Sequence, residues 1–365
     1  MVNWGIQISN GNAMQTKLPH YDWSQSYEWN YDHAPSPVEG DIPPVPGEWD
    51  FCGIPVDSPL GIPAGPLLNG RWCLYYASLG FDVLTYKTVR SRRHKCYDMP
   101  NLQPVDAKSL VEAGQQVTSS RVMDRSWAVS FGMPSMSPEH WRADIEWTRD
   151  RLPTNKLLAV SVVGTVEPEW TEDQLANDYA QCAKWAVDSG ADIIETNFSC
   201  PNVSTCDGQL YQQPEAALRI AECVRERIGK IPYVIKIGHL PGDEQVARLA
   251  RTLDGVANAL AMTNSIAATV RDENGTLLFD GQARGICGEA IHSESVRQVG
   301  RFSQAIRQHG LRLEIIAVGG ITSATDVSLY HRAGAHAFHL ATAVMWHPSV
   351  GIEIRKELSA VSDRD

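Results

Sequence analysis

The 365-residue chain has no apolar run long enough to cross a membrane. A membrane-spanning helix needs about 18 or more consecutive apolar residues. The first residues, MVNWGIQISNGNAMQ, also lack the basic start and the long apolar core of a secretory signal peptide. The sequence therefore predicts a cytoplasmic protein with no membrane partner.

The chain has fewer basic than acidic residues. Its 32 Lys and Arg residues and 43 Asp and Glu residues give a formal net charge of -11. Proteins that bind nucleic acid carry a basic patch or stripe. The densest basic cluster here, RSRRHK at residues 90–95, stands alone in an acidic chain. We interpret it as a solvated loop or a contact for a small anion, and we expect no nucleic-acid partner.

The eight cysteines form neither CxxC pairs nor a regular disulfide framework. HExxH and the other spacings typical of protein metal sites are absent as well. In a chain of this length, such cysteines are typical of free thiols in a reducing cytosol. We expect neither a structural disulfide nor a metal site.

The first 50 residues lack helical and strand periodicity, but they are rich in tryptophan, tyrosine and proline. Disordered segments are usually poor in aromatic residues. We therefore predict an irregular arm over residues 1–50 that packs on the main body or on another subunit. A single domain over residues 51–365 would follow it.

From residue 54 onward, short apolar runs alternate with helix-like stretches. The eight apolar runs lie at 60–65, 83–89, 157–164, 192–200, 233–239, 256–264, 314–321 and 335–342. The helix-like stretches lie at 71–79, 138–152, 171–189, 214–228, 242–254, 293–309, 325–333 and 349–360. Strands that alternate with helices pair in parallel, and eight such units favour a closed (β/α)8 barrel, the TIM-barrel fold. An open, doubly wound α/β sheet is the alternative.

Two connections are longer than a simple helical crossover requires. Residues 90–136 are typical of an inserted segment that covers a substrate, and a second long link spans residues 265–292.

Active sites of such barrels form at the C-terminal ends of the strands. Small and polar residues do stand at these ends, namely Ala64, Gly65, Lys87, Gly164, Asn197, Asn202, Lys236, Asn264, Ser265, Gly319, Gly320, Ala341 and Thr342. A barrel without a ligand needs no such set. The set therefore predicts one site for a small molecule at the open end of the barrel.

Two pairs of residues in this set, Gly319 with Gly320 and Lys87 with Lys236, have a structural as well as a functional interpretation. Gly319 and Gly320 either make the tight turn after a strand or let backbone N–H groups approach a phosphate. Lys87 and Lys236 stand inside apolar strands, where a charge needs a partner. That partner is either a buried carboxylate such as Glu195 or a bound group with negative charge.

Cys200 ends the fourth apolar run, in NFSCPNV at residues 197–203. Most buried cysteines act only as small hydrophobic residues. Cys200 instead stands in a polar loop between Asn197 and Asn202, where a thiol can serve as a nucleophile or a general base. The asparagines suit the amide-like edges of a ligand, because each side chain both donates and accepts hydrogen bonds.

Together these motifs resemble the class 1 dihydroorotate dehydrogenases. The resemblance rests on GIPAGP, TYKTVRS, FGMPS, NFSCPNV, VIKIGH, TNSI, AVGGITSATDV and LATAVMWHPSVG, which occur in the family's order over about residues 51–360. NxSCPN is specific, whereas the glycine-rich strand ends are shared by many flavin and phosphate barrels. The resemblance implies a soluble FMN-containing barrel that oxidises dihydroorotate to orotate.

The resemblance also implies roles for individual residues. Cys200 would be the general base, Lys87 would lie between flavin and substrate, and Lys236 would lie beside the flavin ring. The substrate-binding residues would be Asn197, Asn202, Asn264, Ser265, Phe131, Gly132 and Met133. The FMN-binding residues would be Ala64, Gly65, Lys87, Asn197, Lys236, Gly285, Gly319, Gly320, Ala341 and Thr342, the last four at the phosphate. The resemblance implies a homodimer and leaves the redox partner open.

The substrate loop departs from the family's usual NSMGLPN and reads VSFGMPS at residues 129–135. Val129 and Ser135 replace asparagines, and Phe131 replaces a methionine. A buried substrate group that loses an amide partner costs about 1–3 kcal/mol. We therefore expect the substrate to be dihydroorotate or a related cyclic amide.

Three other functions fit parts of the pattern. An FMN-dependent reductase of another dihydropyrimidine-like ring would run in the opposite direction. A lyase or isomerase barrel would use Lys87 or Lys236 for a Schiff base, and its purified protein would be colourless. A non-catalytic binding module would use the tryptophan-rich arm, and replacement of Cys200 would leave its function unchanged.

Overall fold

A computed structural model describes residues 18–110, 112–123, 125–167, 169–199 and 206–362 of the chain. Its strands are β1 (Trp49–Phe51), β2 (Ile54–Val56), β3 (Leu60–Ile62), β4 (Val83–Val89), β5 (Leu102–Asp106), β6 (Gln115–Ser119), β7 (Ser126–Val129), β8 (Leu157–Val162), β9 (Ile193–Asn197), β10 (Tyr233–Lys236), β11 (Ala259–Met262), β12 (Ile266–Arg271), β13 (Arg284–Gly288), β14 (Glu314–Val318) and β15 (Ala337–His339). Eight of them close into a parallel barrel in the order β3-β4-β8-β9-β10-β11-β14-β15. Each barrel strand lies within one of the eight predicted apolar runs, so the (β/α)8 barrel is confirmed.

Helices follow most barrel strands. In the described residues they are α1 (Tyr27–Asp32), α2 (Gly70–Ala77), α3 (Pro138–Arg149), α4 (Glu172–Asp188), α5 (Pro214–Ile228), α6 (Asp243–Leu253), α7 (His292–His309), α8 (Ala324–Ala333), α9 (Thr342–Trp346) and α10 (Val350–Ser362). The helix α4 begins with a capping box, in which Thr171 and Gln174 each bond the other's backbone N–H. Within the described parts of the chain, no helix is long and apolar enough to cross a membrane.

The two long connections meet in a second, smaller barrel. Strands β5, β6 and β7 come from the first connection, and β12 and β13 come from the second. They close in the order β12-β13-β7-β5-β6, with β6 and β12 parallel and the other pairs antiparallel. The sequence indicated an insertion over 90–136, but it did not indicate that the second link completes the same sheet. Pairing between segments so far apart in sequence leaves no local pattern.

A hairpin of β1 and β2 closes the N-terminal end of the large barrel. Its Phe51 and Val56 pack against residues near the beginnings of the barrel strands, such as Val83, Leu157 and Ile193. Because this end is filled with apolar side chains, the C-terminal end is the one left for a ligand.

The described part of the arm packs on the barrel. Tyr21 and Tyr27 are buried, and Trp72 Nε1 donates to the backbone oxygen of Asn30 at 3.0 Å. The expectation of a wholly irregular arm is wrong at α1, where the Ser26 hydroxyl caps a short helix. Six helical residues carry too little periodicity to be visible in the sequence. The division of the chain at residue 50 stays a prediction.

Candidate active site

A cavity of about 870 Å³ opens at the C-terminal ends of the large barrel's strands. Its lining includes the predicted residues Ala64, Gly65, Lys87, Phe131, Gly132, Met133, Asn197, Lys236, Asn264, Ser265, Gly285, Ala341 and Thr342. The predicted residues Cys200 and Asn202 lie outside the described residues.

Gly319 and Gly320 line a second cavity of about 330 Å³, which shares Ala341 and Thr342 with the first. The φ angles of the two glycines are 137° and 68°, a region that other residues rarely adopt. A Cβ atom on Gly319 would lie 2.3 Å from Ser295 Oγ. The shared lining joins the two cavities into one cleft, with the glycine turn at one end.

Lys87 and Lys236 are buried beside the larger cavity, with 5% and 4% of their surface exposed. Lys236 Nζ lies 3.5 Å from the backbone oxygen of Ala64 and 3.9 Å from Glu195 Oε1. Burial raises the pKa of Glu195, against the opposing effects of Lys236 and a hydrogen bond from Ser161. Lys236 therefore has a carboxylate neighbour and also borders the space for a ligand.

Asn197 and Asn264 organise the chain just before Cys200. Asn264 Nδ2 donates to the backbone oxygen of Ser199 at 2.7 Å, and Asn197 Oδ1 accepts from the backbone N–H of Ser199 at 3.1 Å. The amide of Asn197 also contacts Met133 Sδ at 3.3 Å. Ser199 itself lines the cavity. Both asparagines thus hold the backbone of Ser199, a role that the sequence did not reveal.

Val129 and Ser135, which stand where the family's substrate loop has asparagines, have different surroundings. Val129 lines the cavity and makes this part of its wall apolar. The Ser135 hydroxyl accepts from the backbone N–H of Arg90 at 3.0 Å and donates to the backbone oxygen of Met136 at 2.9 Å. Ser135 is not among the residues that line the cavity, so Val129 is the replacement that changes its wall.

The arm supports the substrate loop from outside. Phe131 lies edge-on to Tyr21 and Tyr27, with ring centroids 6.3 and 5.6 Å apart. The backbone N–H of Tyr27 donates to Asn101 Oδ1 at 3.0 Å, and the backbone oxygen of Asn101 accepts from the N–H of Ser130 at 2.8 Å. The shape of the site therefore depends on residues outside the barrel.

Several lining residues were missed by the sequence reasoning. The larger cavity is also bordered by Leu102, Trp127, Cys287 and Met345, and the smaller one by Arg125 and Glu289. Apolar residues in inserted strands have the same pattern as core residues, so nothing in the sequence distinguished them. The one available signal was the closeness in sequence of Trp127 to Val129 and of Cys287 to Gly285.

The family model described as dihydroorotate dehydrogenase matches residues 48–361. The chain belongs to the dihydroorotate dehydrogenase family. A dihydroorotate dehydrogenase of Dictyostelium discoideum is 31% identical over 359 residues, which cover 92% of this chain and 96% of the relative. The catalytic subunit of a dihydroorotate dehydrogenase B (NAD(+)) from Maridesulfovibrio salexigens is 29% identical over 199 residues, 52% of this chain and 63% of the relative.

Solved structures agree with the fold of this dihydroorotate dehydrogenase family member. The dihydroorotate dehydrogenase of Eimeria tenella in complex with ferulenol has a TM-score of 0.73 at 18% identity, and it covers 92% of this chain and 90% of that chain. The ligand-free form of the Eimeria tenella enzyme has a TM-score of 0.71. At this level of identity the likeness shows the barrel fold alone.

Members of the dihydroorotate dehydrogenase family bind FMN, and the described residues fit this cofactor. A Cβ atom on Gly65 would meet no atom within 4 Å, so this residue faces open space. Side chains on Gly319 and Gly320 would collide with α7 and its preceding turn, so close packing requires glycine at both positions. Lys236 brings positive charge to the larger cavity, where a ring that gains negative charge on reduction would bind.

Asp326 organises the turn that follows the two glycines. Its carboxylate accepts from the backbone N–H of Thr322 at 2.9 Å and from the hydroxyl of Ser323 at 3.0 Å, and it lies 3.3 Å from His292 Nε2. Burial by itself raises the pKa of Asp326. The hydrogen bonds and His292 outweigh this effect and hold the pKa well below its usual value.

We therefore expect Asp326 to stabilise the protein near neutral pH and to lose that contribution in acid. Because its pKa is depressed in the folded state, the contribution is present above the unfolded pKa of about 3.9 and disappears as the pH falls through the folded pKa. Urea denaturation of the wild type and of Asp326→Asn at a series of pH values measures it. The difference in unfolding free energy should shrink toward acid; a difference that is constant with pH would contradict the prediction.

Proposed function

We propose that this protein oxidises dihydroorotate to orotate with FMN. The observation that carries the proposal is the single cleft at the C-terminal end of the barrel, which brings together two buried lysines, two asparagines and a recess lined by Gly319 and Gly320. Membership of the dihydroorotate dehydrogenase family over residues 48–361 supports it.

FMN, when bound, supplies the acceptor for a hydride. The chain's own residues do the rest in this proposal. Cys200 takes the proton from one ring carbon of the substrate while the adjacent carbon loses the hydride. Asn197, Asn202 and Asn264 hold the amide and carbonyl edges, and Lys87 borders the space between substrate and cofactor. The substrate loop over the cavity keeps water away from the reacting atoms.

A second candidate is a flavin-dependent reaction on another cyclic amide, and Val129 is the observation that favours it. An apolar wall leaves a ligand's polar group without a partner, which costs about 1–3 kcal/mol. A ring with fewer polar edges than dihydroorotate would avoid that cost.

The visible spectrum of the purified protein, followed during anaerobic addition of substrate, tests the two candidates. We expect the absorption of oxidised flavin, and bleaching by dihydroorotate at a higher rate than by dihydrouracil. The Val129→Asn variant provides the matched comparison, because it restores the amide at one position of the wall. Faster bleaching by dihydrouracil would favour the second candidate, and a colourless protein would refute both.

We also propose that the protein is a cytoplasmic homodimer. The six cysteines whose side chains the structure describes are free thiols, as is usual in a reducing compartment. Sedimentation of the purified protein tests the dimer, and a single species with the monomer mass of 40.3 kDa would contradict it.

A further inference from the structure

Two oppositely charged side chains are buried next to each other inside the large barrel. Glu195 and Lys236 come from the neighbouring strands β9 and β10, where Glu195 stands opposite Val234 in the register. Their charged atoms are 3.9 Å apart, which is an ion-pair distance but too long for a hydrogen bond. Glu195 Oε1 makes no hydrogen bond to any residue that the structure describes.

A third ionisable group, His339, is buried in the same barrel. Its ring is parallel to that of Phe51, with centroids 5.6 Å apart. Burial and, to a smaller extent, Lys236 together lower the pKa of His339 to about 3. His339 is therefore neutral near pH 7, and it does not offset the charge of Lys236. Among the described residues, Glu195 is the carboxylate that does.

The carboxylate is also connected to the wall of the cavity. Burial raises the pKa of Glu195, and Ser161 acts against that shift by favouring the charged form. The Ser161 hydroxyl lies 3.0 Å from that of Thr88, and Thr88 lines the larger cavity beside Lys87. Thr88 and Ser161 therefore connect the wall of the cavity to the surroundings of Glu195.

We propose that Glu195 is a positioning residue that holds Lys236 against the flavin site and sets the reduction potential of the bound flavin. This inference rests on the proposed function, because it requires FMN in the larger cavity. Lys236 favours the reduced flavin, since a cation stabilises the negative charge that the ring gains. Glu195 offsets part of the positive charge of Lys236. The two groups are 3.9 Å apart, and salt screens buried groups poorly. Removing the carboxylate should therefore raise the potential.

The reduction potential of the bound flavin, measured against a reference dye, tests this in Glu195→Gln. We expect the ratio of reduced to oxidised flavin at a given potential to rise about tenfold, which corresponds to a shift of about 30 mV for a two-electron couple. Lys236→Met should shift the potential in the opposite direction. Adding Glu195→Gln to Lys236→Met should cause little further change, because burial favours the neutral form of Glu195 once the opposing charge of Lys236 is gone.

Two further variants complete the test. Ser161→Ala should raise the potential by a smaller amount, because it weakens a hydrogen bond that favours the charged form of Glu195. It keeps the proposal testable if Glu195→Gln does not fold. Glu314→Gln is the matched control, because it removes the same charge from the first residue of β14, at the N-terminal end of the barrel.

The outcomes separate the inference from the proposed function. A wild-type protein that binds no flavin would overturn both. Flavin-loaded Glu195→Gln and Ser161→Ala variants with the wild-type potential would overturn the inference alone, and so would an equal shift in Glu314→Gln. A rise in the reduction potential of the Glu195 and Ser161 variants, but not of Glu314→Gln, would support it. A purely structural role would lower flavin content or stability without moving the potential.

Discussion

Replacement of Cys200 by alanine is expected to lower kcat/KM for dihydroorotate by about 10²- to 10⁴-fold, the usual contribution of a positioned general base. The variant removes the thiol that we propose takes the proton from the substrate. Flavin content should stay close to that of the wild type, because Cys200 is not among the residues proposed to hold FMN. The loss should therefore appear in turnover and not in cofactor binding.

Cys200→Ser should retain more activity than Cys200→Ala and should have its optimum at higher pH. A hydroxyl can still accept the substrate's proton, but it loses its own proton less readily than a thiol does. Steady-state rates over a range of pH measure this difference. An alanine variant within twofold of the wild type would show that another group removes the proton.

Cys223→Ala is the matched control for the Cys200 variants. Cys223 lies on α5, with its side chain partly exposed and near Asn177. The same atomic change at this position should leave both flavin content and turnover unchanged. A comparable loss there would indicate that cysteine replacement damages the protein in general.

Replacement of Asp82 by asparagine is expected to lower the free energy of unfolding by about 3–5 kcal/mol, the usual cost of removing one partner from a buried ion pair. Asp82 is fully buried and forms ion pairs with Lys156, at 2.7 Å, and with Arg355. It also accepts a hydrogen bond from Ser58. The variant would leave two buried cations without their carboxylate.

The effect should be large because this cluster joins distant parts of the chain. Arg355 belongs to α10, and it also donates to the backbone oxygens of Gly80, at 2.7 Å, and of Pro43, at 2.8 Å. Burial lowers the pKa of Arg355, and Asp82 raises it again. Loss of Asp82 therefore weakens the attachment of the last helix to the barrel and to the arm.

Urea denaturation of Asp82→Asn measures the change, with Asp188→Asn as the control. Asp188 pairs with Lys184 on the surface of α4, and both side chains are about two-fifths exposed. A surface pair of this kind contributes about 0–1 kcal/mol. Equal losses in the two variants would contradict the special role assigned to the buried cluster. A total stability of about 5–15 kcal/mol makes the predicted difference easy to resolve.

The barrel was predictable because its signals are local. Each strand is a short apolar run, each helix has its own periodicity, and caps such as Thr171 mark where helices begin. The described site residues were also predictable, since the C-terminal end of a parallel strand is a position that can be read along the chain. All of the described residues that were predicted to bind substrate or FMN line one of the two cavities.

The small barrel was not predictable in the same way. Its closure requires β6 to pair with β12, and its two segments are separated by four of the eight strands of the large barrel. The contact of the arm with Phe131 has the same origin, because Tyr21 and Tyr27 reach the substrate loop only after the chain has folded. Neither pairing has a signature in any short stretch of sequence.

The amino-acid sequence by itself determined the (β/α)8 architecture, the family and the residue types at the open end of the barrel, because each depends on neighbours a few positions apart. Only the tertiary structure decided how those residues act on one another. It brought Glu195 within 3.9 Å of Lys236, turned Ser135 toward the backbone of Arg90, and left Val129 in the cavity wall. The physical reason is that charge coupling and cavity shape depend on distances of a few ångströms between residues that are remote along the chain.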